Sequence, residues 1–181
     1  MSSFDQMPIP GSPERKQQSR DAQKVLRLLA HRMKATGFDR TKPSFFTRPQ
    51  PWLIEFVHLH KYTFGPFFRV HLGIRIRCDD WSAVALNGPT ADGAQVVDGK
   101  WHQRFEYASD AGSMLACADN LAHYLSTHAE PWFESVRGPQ FLLTAPGSPL
   151  YKQEKVVLAE VLRRGDQFAI SDATRKVLNV A

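Results

Sequence analysis

The alternation of apolar and polar positions divides the chain into helical and extended stretches. From Glu14 to Thr36, Val25, Leu28, Leu29 and Met33 recur at helical spacing, and Gly37 stands where a left-handed cap ends a helix. The pattern predicts a first helix. Its other side carries Arg20, Lys24, Arg27, His31 and Lys34, each three or four residues from the last, a basic stripe facing away from the core. Three extended segments follow, Ser44–Arg48, Trp52–His60 and Phe67–Cys78, rich in aromatic and β-branched residues and separated by proline breaks. In the third, Phe68, Val70, Leu72, Ile74, Ile76 and Cys78 make one face wholly apolar, and Arg69, His71, Arg75 and Arg77 alternate with them.

The stretch Asp79–Lys100, rich in glycine and aspartate, reads as a long loop leading to a candidate strand, Trp101–Ser109. Ser109–Thr127 predicts a helix with Ser109 as its cap and Leu115, Ala118, Leu121, Ala122 and Leu125 on one face. PWFESV, from Pro131, continues it; Ser148 and Pro149 open a helix that Gly165 stops, and a last short helix spans Ser171–Asn179. Helix, consecutive strands, then helices give an α+β fold. The expectation is an antiparallel sheet of about four strands with helices packed on one face, the N-terminal helix first and a helical C-terminal part. Residues 1–13 read as a flexible tail and residues 14–181 as a single domain. An open second sheet face would let water solvate the arginines.

The order of several segments adds a family likeness. ATGF near the end of the first helix, SFFTRP, a polar connection, FRVHLGIRI, a tyrosine-containing strand before a capped helix, and EPWFES together resemble the bacterial family called domain of unknown function 4304. The likeness covers roughly residues 22–170, and the strand FRVHLGIRI is its most specific piece. It implies a small cytoplasmic α+β domain without an established activity and brings no catalytic residues with it. The long stretch Asp79–Lys100 and the basic first helix depart from that pattern and leave the partner open.

At 181 residues, 43% hydrophobic, the chain can bury one core. No apolar run approaches the ~18 residues of a membrane span, and the opening lacks the features of a secretory signal, so the expectation is a cytoplasmic protein without membrane contact. Cys78 and Cys117 form no C-x-x-C pair and read as reduced, buried thiols. The net charge of +5 is uneven: residues 1–80 hold 14 Lys and Arg against 7 Asp and Glu, and residues 81–181 hold 9 against 11. A positive field on one part of the molecule attracts acidic partners.

Three histidines invite a metal reading. If His60 pairs with Phe67, then His58, His60 and His71 share a face with Arg69, whose guanidinium opposes a cation. Slipped by one residue, the register sends Ile54, Phe56 and His58 into the core and His71 to the other face. The slipped register gives the better core, and no well-placed carboxylate or cysteine completes a ligand set, so neither metal nor cofactor is expected. With no G-x-S-x-G, H-E-x-x-H, P-loop or G-x-G-x-x-G motif, no catalytic residue is assigned and the reading points away from an enzyme. What remains is a non-enzymatic protein-binding domain for an acidic protein partner, a toxin-neutralising immunity protein being one form. The partner would dock on Arg69, His71, Arg75 and Arg77, with Trp81 and Trp101 as anchors and the helix face of Arg20, Lys24, Arg27 and His31 as a second basic surface. Nucleic acid on the same arginines is the first alternative, and a motif-poor hydrolase centred on the strand histidines the second.

Overall fold

The computed structural model describes residues 11–63, 65–92, 94–97, 100–103, 105–165 and 169–181, with the side chains of 94–97 and 100–103 left aside. The expected tail, residues 1–13, thus lies mostly outside the described residues, and helix α1 (Pro13–Met33) begins at its end. The Ser12 hydroxyl accepts the Arg15 N–H at 3.2 Å, and Pro13 fills the first turn, where a missing N–H costs nothing. One 3₁₀ turn, Lys34–Thr36, leads to Gly37, whose φ of 82° is the left-handed cap.

Strands β1 (Asp39–Lys42), β2 (Phe45–Pro49), β3 (Leu53–Lys61), β4 (Phe68–Ile76) and β5 (Thr90–Ala91) then form one antiparallel sheet in chain order. The fold is α+β as expected, with five strands rather than four in the main sheet. β1, DRTK, is too short and polar to announce itself. The stretch Asp79–Lys100 is not a long loop. Asn87 holds the β4 backbone like a strand neighbour, accepting the Ile74 N–H and donating to the Ile74 carbonyl at 3.0 Å each. Beyond β5, β6 (Ala94–Val97) pairs with β7 (Lys100–Gln103) in a separate ribbon.

The C-terminal part comprises α2 (Ala111–Tyr124), a π-helical turn (Leu125–Ala129), α3 (Glu130–Val136), α4 (Pro139–Thr144), α5 (Lys152–Arg164) and α6 (Asp172–Leu178). Two expected caps are corrected. Asp110, not Ser109, caps α2, accepting the Ser113 N–H at 2.7 Å, because the Ser109 hydroxyl is drawn to buried Asp21 at 2.8 Å. α5 starts at Lys152, since the Ser148 hydroxyl turns back to the Leu142 carbonyl at 2.6 Å and Glu154 instead accepts the Tyr151 N–H at 2.8 Å.

The β3–β4 register is neither of the two weighed from sequence: His58 opposes His71 and His60 opposes Arg69. The slipped register is overturned. Leu53, Val57 and Leu59 face the helices with Val70, Leu72 and Ile74, packing on Leu29 of α1 and Leu121 of α2. Ile54 and Phe56 are buried too, but on the opposite face, where Leu178 of α6 covers them. Phe56 lies over Gly73, its pairing partner; a Cβ on Gly73 would sit 2.2 Å from Phe56 Cζ. Helices therefore cover one face of the sheet, and α6 covers part of the other. Among the described residues no helix is long and apolar enough to cross a membrane.

Candidate functional site

Alternation along β4 does place Arg69, His71 and Arg75 on the face away from α1. Their surroundings differ. Arg75 is 2% exposed, and its guanidinium donates to Thr174 Oγ1 at 2.6 Å and to the carbonyls of Trp81, Ala83 and Asp79 at 2.5, 2.7 and 3.0 Å. It is a clamp joining α6 and the 79–83 segment to the sheet, and the expectation that it meets a partner is corrected. Arg77, half-buried, follows the end of β4 and donates to the Pro51 carbonyl at 3.1 Å, holding the turn before β3. Arg69 lies 4.9 Å over the Tyr62 ring, with the Asp92 carboxylate at 3.9 Å. Trp81 is exposed at 51%, as an anchor would be. Trp101 belongs to β7, and its side chain lies outside the described residues.

The part of this face that α6 leaves uncovered carries a ladder across four strands: Phe45 pairs with His58, His58 with His71 and His71 with Thr90. Phe45 stacks on His58 with ring centres 4.4 Å apart, and His58 on His71 at 5.7 Å. Burial, then the neighbouring His71 and His60, pull the His58 pKa down to about 4; burial and Arg69 lower that of His71. Both rings are neutral at pH 7. The two thiols offer no nucleophile: burial pushes Cys117 up to about 12 and also raises Cys78.

The helix stripe fares differently from the sheet arginines. Arg20, Lys24, Arg27 and His31 are all exposed on α1. Lys24 bonds Asp21 one turn back at 3.1 Å, whereas Arg20, Arg27 and His31 meet no carboxylate among the described residues. Beside them α1 and α2 enclose a shallow groove of about 570 Å³, its floor Leu28, Met114 and Leu115 and its rim Lys24, Arg27 and His31. Leu115 was assigned to the buried face of α2. It is 46% exposed, because the helix turns Met114, Cys117, Ala118 and Leu121 inward instead. The apolar floor was thus missed, although the adjacent pair Met114 and Leu115, too wide for one stripe, was its signal.

A second, tighter cavity of about 200 Å³ lies between the end of α1 and the π-helical turn, against Met33, Phe38 and Phe133. Its polar groups are already engaged with one another: Arg48 bonds Glu130 at 2.8 Å, and Arg32 bonds Asp119 at 2.6 Å. That arrangement holds elements together. Comparison with known proteins adds no relative: no family model, curated protein or solved structure matches the chain.

Proposed function

We propose that this chain is a protein-binding domain for an acidic partner, engaged through the outer face of α1 and the groove beside α2. What supports this reading is the uneven fate of the basic residues. Arg75 and Arg77 are occupied inside the fold, whereas Arg20, Arg27 and His31 stand in water without a carboxylate partner among the described residues. They extend along about 16 Å of helix. A partner segment carrying carboxylates relieves their mutual repulsion, and an apolar residue on it would bury Leu28, Met114 and Leu115. A toxin-neutralising immunity protein is one concrete form, since such an inhibitor needs a complementary surface and no catalytic group. A cytoplasmic location and kinship with domain of unknown function 4304 belong to the same proposal; the free state of Cys78 and Cys117 suits a reducing compartment.

The experiment compares capture from nuclease-treated lysate of the source cells by the wild type and by a double variant, Arg20→Glu with Arg27→Glu. A protein retained by the wild type and lost by the variant supports the reading. Equal retention removes the helix face from it, and recovery of nucleic acid that vanishes with nuclease transfers these cations to phosphate binding.

A further inference from the structure

The register correction brings together three groups that the sequence had separated. His58 and His60, two apart on β3, share a face, and His71 of β4 stands directly opposite His58. The ring centres are 5.7 Å apart for His58 and His71, 6.3 Å for His58 and His60, and 6.4 Å for His60 and His71. Three imidazoles around one ion, with metal–nitrogen bonds of about 2.0–2.1 Å and tetrahedral to trigonal angles, place ring centres roughly 5–5.5 Å apart. Each pair exceeds that spacing by about 1 Å or less, within reach of small side-chain rotations. Among the described residues no three His, Cys, Asp or Glu side chains stand as a finished metal site, so the trio is empty and open.

The rings present nitrogen rather than π surface. One face of His58 is covered by Phe45 at an interplanar angle of 17° and the other by His71 at 21°. The edges are what remain for a ligand, which argues against base stacking. Nδ1 of His58 is buried without a hydrogen-bond partner among the described residues. Nδ1 of His71 lies 3.1 Å from Thr90 Oγ1; donation to that hydroxyl leaves a lone pair on Nε2, the outer-shell contact that orients a metal-binding histidine. The neutral state of His58 and His71 at pH 7 is the ligand form. Arg69, opposite His60, is the one cation set against an ion here, and Tyr62 and Asp92 draw its charge aside.

We propose that His58, His60 and His71 bind one divalent first-row transition-metal ion, with a coordination position left open toward solvent. An all-imidazole set suits zinc, copper or nickel and disfavours magnesium and calcium, which take oxygen ligands. The site lies on the sheet, apart from the α1 groove, and its test is independent of the binding reading above.

The test uses the full, untagged chain stripped with chelator and titrated with Zn²⁺ by calorimetry, with Co²⁺ absorption as a second readout. One Zn²⁺ per chain is expected. His60→Ala and His71→Ala should each weaken binding at least ~10-fold, while His31→Ala on α1 leaves it unchanged. His60 is exposed, so its removal leaves the core intact, and circular dichroism verifies that. Absence of saturable binding, or equal affinity in wild type and His60→Ala, overturns the proposal.

Discussion

Glu55 and Arg137 are 82 residues apart in sequence and 2.6 Å apart in space. The carboxylate is 0% exposed, and Arg48 bonds it from the other side at 2.5 Å. Glu130 then accepts from both arginines, at 2.8 Å each, closing a ring of four charges between β2, β3 and α3. A buried carboxylate tolerates its loss of water only while such partners remain. Arg137→Ala should therefore destabilise by about 2–3 kcal/mol, less than the ~3–5 of a buried charge left alone, because Arg48 stays. Urea denaturation checks this; a change within about 0.5 kcal/mol would mean that Arg48 alone suffices.

The same ring sets an acid response. Burial works to raise the Glu130 pKa, but hydrogen bonds and charge from Arg48 and Arg137 outweigh it and hold the group below its usual 4.5. A carboxylate depressed on folding contributes stability above its unfolded pKa and loses it as pH falls through the folded one. The stability gap between wild type and Glu130→Gln should thus be full above pH 4.5 and shrink below it. Denaturation midpoints from about pH 3 to 7 measure the gap; one that stays constant would show that Glu130 does not titrate with folding.

Arginines on one sheet face should separate by mutation. Arg75→Met removes four hydrogen bonds from buried partners and should cost at least about 3 kcal/mol, loosening α6 with it. Arg69→Ala, at a 38% exposed side chain, should stay within about 1 kcal/mol. Thermal melts of the two variants decide it, and similar losses would contradict the clamp assigned to Arg75.

Gly73→Ala brings a methyl group into the space of the Phe56 ring. Overpacking of this kind costs about 1–3 kcal/mol. In a Phe56→Ala background the same change should cost much less, so a double-mutant cycle by denaturation yields a coupling of about 1 kcal/mol or more. Additive effects would mean that Phe56 has another resting place.

Much of the architecture was legible in the spacing of apolar residues. α1 ended where Gly37 forecast it, and the apolar face of β4 is the core face. The failures share a cause. β3 is apolar at both parities, Leu53, Val57 and Leu59 against Ile54 and Phe56, so alternation could not choose its register. The choice came from distant partners: Arg48 and Arg137 gather Glu55 to the helix side, and Leu178 covers Ile54 and Phe56 from the other. The basic face was readable as composition, but which arginines stay outside depended on Thr174, almost a hundred residues beyond Arg75. The apolar groove of α2 was hidden in a helix whose inward stripe is one position away from the one assigned.

The placement of α6 has a consequence for how copies of this protein meet. Ile54 and Phe56 sit on a sheet face that would otherwise be flat and greasy, and seven residues of helix, with Asn179 fastened to the Thr41 carbonyl at 2.8 Å, shield it. The segment acts as an internal bumper: shortened chains lacking it would offer one sheet to another and self-associate through the faces that α6 now keeps apart.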